Sequence, residues 1–220
     1  MTFMTLSLPW TAVVILFPLC LGIFSFMMHT VRISLTTWDQ RISFFSSPTA
    51  HAEIRWIYAA VVTVIILAPV PEMDRLLAFF FCLFLFRLSL TDMLTGLLPR
   101  ELTVRCLIAG FAAALVSTDF TSHLLSAYAA LLIFGCWRYL STRQNGRECL
   151  GLGDVWLAGG IGAWLGGVAG LYALLTGVVL FVLWQISVAR LREGGPMGPW
   201  LSAGAIVMTL IRLYHPLFTW

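Results

Sequence analysis

Apolar runs long enough to cross a bilayer recur along this chain, and arginines or turn residues interrupt them rather than any polar stretch of domain length. A spanning helix needs about 20 residues, fewer where it is buried among other helices. The pattern predicts helices over 8–28, 56–70, 76–90, 102–117, 124–140, 155–165, 168–189 and 200–213. The uncharged stretch 155–189 is too long for one crossing, and the Gly166-Gly167 pair divides it. Of the 220 residues 60% are hydrophobic and only 10% charged. No segment has the mixed polar and apolar pattern of a water-soluble core. The expected fold class is therefore all-α: a polytopic integral membrane protein, one membrane domain over residues 1–220 with about eight transmembrane helices.

Charge gives the orientation. All 13 basic residues are arginines, and a net charge of +3 is too small and too dispersed for a nucleic-acid partner. With both termini outside, the inward loops collect Arg32, Arg41, Arg55, Arg87, Arg100, Arg105, Arg138, Arg143, Arg147, Arg190 and Arg192, which leaves Arg75 and Arg212 outside. That asymmetry is the one expected of cytoplasmic loops. The N-terminal run is uncharged through Met28 and lacks a basic n-region and a small-residue cleavage site, so a retained anchor is expected. The lipid bilayer is thus the first partner.

Five cysteines without a CxxC pair indicate neither a disulfide framework nor a zinc knuckle, and four scattered histidines lack ligand spacing. Ser89, Ser141 and Thr142 have no nearby base at a recognisable spacing, which argues against serine nucleophiles.

Two acids remain. Asp92, in FRLSLTDMLTGLLPRELT, falls at the inner end of the third span, and Asp154, in GLGDVWL, at the inner start of the sixth. Two crossings separate them, so acids 62 residues apart in sequence can return to one membrane face. Carboxyl groups near hydrocarbon are costly and are usually paired, hydrated or functional. Two held close cannot easily both ionise, which leaves one to deprotonate water and the other to protonate a carbonyl. Competing readings are an N-cap for Asp154 and a solvated charge, balanced by Arg87 or Arg100, for Asp92. Gly151 and Gly153 would let another backbone approach Asp154, whereas Gly159, Gly160, Gly162, Gly166, Gly167 and Gly170 suit helix packing.

These motifs resemble those of the type IV prepilin peptidases, members of the GxGD class of membrane aspartic proteases. GLGD at 151–154 is similar to the family's GxGD, and Asp92, followed by Pro99 and then Leu102-Thr103, to its first acid motif. GGPMGPWLSAG at 194–204 is similar to the FGP segment, with Met197 in place of the aromatic. The likeness covers residues 76–205. It implies Asp92 and Asp154 as the catalytic pair, a type IV prepilin or pseudopilin as substrate, and cleavage of its short leader at the cytoplasmic face of the bacterial inner membrane.

The departures define a short form. Longer members carry two CxxC pairs that bind zinc, inserted after the first span, and many methylate the new N-terminus with S-adenosylmethionine. Residues 31–55 here hold no cysteine. Zinc is not expected, no cofactor is expected for proteolysis, and S-adenosylmethionine enters only if methylation is retained. The family's leaders are commonly basic, yet the inward loops here are arginine-rich. Glu101 and Glu148, neighbours of the two motifs, are therefore expected to give the leader local contacts. The alternatives are another GxGD protease with a preflagellin-like substrate, and a non-enzymatic carrier or scaffold whose acids bind a cation or cap helices.

Overall fold

A computed structural model describes residues 9–38, 52–117, 119–146, 150–187 and 195–218. Among them the order is a single 3-10 turn, Trp10–Ala12, followed by α1 (Val13–Trp38), α2 (Glu53–Ile66), α3 (Glu72–Thr95), α4 (Arg100–Ala114), α5 (Phe120–Asn145), α6 (Leu152–Leu165), α7 (Gly167–Ser187) and α8 (Gly198–Phe218). The protein is all-α, and α1, α3, α5 and α7 are long and apolar enough to cross a membrane. Each of the eight expected runs overlaps one of these helices, but α2, α4 and α6 have only 14, 15 and 14 residues, and four helices, not eight, reach spanning length and hydropathy among the described residues.

Several helices outrun their apolar runs, α1 and α5 among them. α1 continues past Met28 to Trp38, because the hydroxyls of Thr30 and Ser34 bond back to the carbonyls of Phe26 and Thr30 (both 3.0 Å) and need no water. α5 starts at Phe120, where Asp119 caps it by accepting from the Ser122 N–H (3.3 Å), and ends at Gly146 in the left-handed region (φ 65°). The break between α6 and α7 falls where the glycine pair puts it. Gly166 (φ 67°) and Gly167 (φ 47°) both take positive φ, which a side chain would resist.

The helices group into two compact units, residues 1–94 with 209–220 and residues 95–208. In the first, Phe24 of α1, Tyr58 of α2 and Phe86 of α3 form a buried ring cluster with centroids 4.7 to 5.9 Å apart. Tyr58 Oη inside it lies 3.0 Å from Ser89 Oγ, and nearer the surface of the unit Arg75 donates to Ile66 O (3.1 Å) and Tyr214 of α8 to Val64 O (2.9 Å).

In the second unit α6 packs chiefly against α4 and α5. Fourteen residues at 1.5 Å each make it only about 21 Å long, and it is apolar on all sides, the signature of a helix enclosed by others. Its glycines allow that enclosure. A Cβ on Gly162 would lie 2.8 Å from Ala127 Cα and Ser126 O, and one on Gly159 would lie 2.7 Å from Leu131. His123 Nδ1 donates to Ala163 O (2.7 Å) and Trp164 Nε1 to Cys106 O (3.0 Å), which ties α5 and α4 to the end of α6.

Close backbone packing at Gly162 has a measurable consequence. Gly162→Ala must push backbone aside, so it should destabilise by about 1–3 kcal/mol. Gly135→Ala on α5, whose added Cβ meets nothing within 4 Å, should be neutral or gain about 0.5–1 kcal/mol from helix propensity. Thermal unfolding of both variants in detergent checks the pair.

Candidate active site

The GLGD motif opens α6. Gly151 is the N-cap residue (φ −64°, ψ 145°), so Asp154 is the third residue inside the helix rather than its cap. This corrects the N-cap reading by three positions. A carboxyl in the first turn still meets the unshared N–H groups and the positive end of the helix dipole. The side chain turns back across the helix start: a Cβ on Gly151 would lie 2.9 Å from Asp154 Oδ2. Asp154 is half-buried and Gly151 is exposed.

Gly153 is buried, and its bare face is occupied. A Cβ there would lie 2.5 Å from Leu98 Cβ and 2.6 Å from Leu98 O. The close backbone approach foreseen at this glycine therefore exists, and the backbone that makes it belongs to the chain itself. Leu98 sits in the Asp92 motif, immediately before Pro99. The two motifs, far apart in sequence, touch at this point.

The turn around Leu98 is fixed from both sides. Gly96 adopts φ 66°, and Thr95 Oγ1 bonds with the carbonyl of Leu97 (2.9 Å). Pro99 is the N-cap of α4: its carbonyl accepts from Leu102 N (3.1 Å) and Thr103 N (3.2 Å), while Thr103 Oγ1 donates to Arg100 O (2.9 Å). The Pro99, Leu102 and Thr103 spacing is thus a helix-start device. The Arg100 guanidinium lies 5.9 Å from the Trp156 ring centroid, a cation–π contact between the starts of α4 and α6. On the other side Arg138 of α5 donates to Leu150 O (3.2 Å) and holds the residue before Gly151.

Asp92 lies in the last turn of α3, in the first unit, and is only 4% exposed. At that exposure Asp92 is not a solvated charge. Thr91 beside it satisfies its hydroxyl on Arg87 O (2.8 Å).

Glu101 is exposed and 3.9 Å from Arg105, one turn on. Glu148 and Cys149 lie outside the described residues. His123 is a buried hydrogen-bonding residue. Among the described residues no group of three or more His, Cys, Asp or Glu side chains could hold a metal. Sequence reasoning missed Leu98, Arg138 and the Arg100–Trp156 pair. The glycine of GLGD signals a close approach but not what approaches.

An all-α membrane protein with acids at glycine-set and proline-set helix ends is the class that fold and motifs define. Residues 79–186 match the model of the type IV leader peptidase family. That match covers just under half of the chain. Over 142 residues it is 34% identical to a prepilin leader peptidase/N-methyltransferase of Burkholderia pseudomallei (strain 1026b), covering 61% of this chain and 46% of that protein. Proteins of the same name from Pectobacterium carotovorum subsp. carotovorum (33% over 135 residues) and Dickeya chrysanthemi (37% over 136) each cover 56% of this chain, and 47% and 46% of their own lengths align. The chain spans about half the length of the curated relatives it matches. No solved structure matches it.

The Gly153 contact can be tested without an activity assay. Gly153→Ala should lower stability by about 1–3 kcal/mol. Adding Leu98→Gly should restore only part of it, because the Leu98 carbonyl stays in place. Unfolding midpoints of the single and double variants in detergent decide.

Proposed function

We propose that this chain is a membrane aspartic endopeptidase that removes the short leader from type IV prepilins or pseudopilins at the cytoplasmic face of the inner membrane, with Asp92 and Asp154 as its catalytic pair. The observation that carries this reading is the family match, whose 79–186 segment contains both acids together with Pro99, Gly151 and Gly153. The names of the relatives support a prepilin as substrate. The burial of Asp92 supports a functional acid. The arginine-rich inward loops support a cytoplasmic site.

In the proposed reaction one carboxylate takes a proton from water as the water oxygen adds to the scissile carbonyl. The other carboxyl, protonated, gives its proton to the carbonyl oxygen. As the tetrahedral gem-diol collapses and the C–N bond breaks, one of its hydroxyls returns a proton to the ionised carboxylate while the protonated carboxyl gives its proton to the leaving nitrogen, which restores the singly protonated pair. Water is the nucleophile and the two carboxyls carry the protons, so hydrolysis by this route calls for no metal or organic cofactor. Exposed Gly151, beside Asp154 Oδ2, leaves room for an extended substrate segment, while Gly153 holds Leu98. Glu101 and Glu148 contact the basic leader.

Asp92→Asn and Asp154→Asn should each lower leader removal by at least about 10³-fold, as loss of one member of a catalytic unit does, with the protein still inserted at wild-type levels. Co-expression with a prepilin and a gel-shift readout tests this, and a fully active single variant removes the pair. Reversing charge at both Glu101 and Glu148 should raise KM for a basic leader by up to about fivefold, the scale of exposed ion pairs, at unchanged kcat. Processing kinetics identical to wild type would remove the leader contacts.

A further inference from the structure

Gln185, in the last turn of α7, is only 5% exposed, and its Oε1 has no hydrogen-bond partner. It lies beside Gly195, three residues before the start of α8. A Cβ on Gly195 would be 3.6 Å from Gln185 Nε2 and 3.0 Å from Trp184 Cζ3, and the Trp184 and Trp200 rings are 5.6 Å apart. A carbonyl oxygen withdrawn from water with no donor is unfavourable, and it persists in a native fold where a ligand brings the donor.

Two of the other buried hydroxyls without partners, those of Ser126 and Ser202, have a packing account. Ser126 Oγ packs against Gly170, and Ser202 follows Leu201, whose Cα a Cβ on Gly177 would approach at 2.7 Å. Both are small side chains where helices pack closely. Gln185 is long, and no such contact requires it.

Its depth is informative. α6 and α7 fold back on each other at Gly166, with a Cβ on Gly170 only 3.1 Å from Gly162 Cα. Asp154 precedes Gly166 by 12 residues and Gln185 follows it by 19, a difference of 7. On parallel helices, seven residues at 1.5 Å each would put Gln185 about 10 Å beyond Asp154 along the helix axis, on the side of the expected inward loops. An extended peptide covers that in about three residues.

We propose that Gln185 is a substrate-positioning residue: its carboxamide oxygen accepts a backbone N–H of the leader, about three residues on the leader side of the scissile bond. This rests on the peptidase reading above. Entry runs past the 195–197 turn, where Gly195 has no side chain to displace.

The test is an ester scan. Synthetic prepilin segments carry one backbone amide at a time replaced by an ester along the leader, and are cleaved by the full-length enzyme in detergent. In wild type one replacement, two to four residues before the cut, should lower kcat/KM about tenfold, the scale of one neutral hydrogen bond in a desolvated site. Gln185→Met should lower kcat/KM on the all-amide segment about as much, chiefly through KM, and show no further loss with that ester. Removing an unpaired buried amide should also leave its thermal midpoint at or above that of wild type. Gln185→Glu, which retains an acceptor oxygen, should keep the ester penalty. No sensitive leader position in wild type, or an undiminished ester penalty in Gln185→Met, overturns the assignment. Full activity of Gln185→Met beside an inactive Asp154→Asn overturns it alone, whereas a wild-type protein that cleaves no prepilin overturns the peptidase reading and this assignment together.

Discussion

The second unit turns on a contact that only glycine permits. Leu98 sits where a side chain on Gly153 would be, close enough that its carbonyl as well as its side chain would have to move for a single methyl group. Backbone against backbone at that distance fixes the start of α6 relative to the start of α4, and therefore the place from which Asp154 projects. The surrounding bonds serve the same end. Arg138 holds Leu150, Pro99 and Thr103 close the first turn of α4, and Arg100 stacks on Trp156. A first turn held by these contacts restricts where the Asp154 side chain can point.

The same scarcity of water explains why so many polar tips here end on backbone carbonyls. Inside a bilayer each unmet donor is expensive, and a neighbouring helix offers carbonyl oxygens that its own ladder leaves partly unused. Trp164, His123, Tyr214 and Arg75 all take that route. These bonds pin neighbouring segments at chosen heights, a service that hydrophobic packing cannot give when lipid is as apolar as the partner helix.

What could be read from the sequence was what is local. The eight apolar runs and the break at Gly166-Gly167 follow from hydropathy and from the tolerance of glycine for positive φ. The ends of α1 and α5 did not, because Thr30 and Ser34 look polar to a composition count yet satisfy themselves inside a helix. The burial of Asp92 was equally hidden: nothing in its neighbours along the chain says how tightly α3 is packed around it. Leu98 is the clearest case. GLGD announces that something comes close to Gly153, but its identity depends on a turn more than fifty residues upstream, set by Gly96 and Pro99.

The position of Asp154 also separates the two meanings of an acid at a helix start. An acid at the N-cap is committed to the N–H groups of the first turn, and its stabilising role is then sufficient reason for it. Here glycine holds that position, and the acid stands three residues later. There it keeps the favourable field of the helix terminus without serving as the cap residue. Gly151 in turn leaves the Oδ2 side of the carboxyl without a covering side chain, on an exposed stretch of backbone. A helix needing only a cap would do as well with aspartate at 151 and any residue at 154. Glycine at the cap with the acid one turn inside leaves the Oδ2 edge of the carboxyl uncovered by a side chain at 151, which is the side from which the proposed reaction would have its substrate approach.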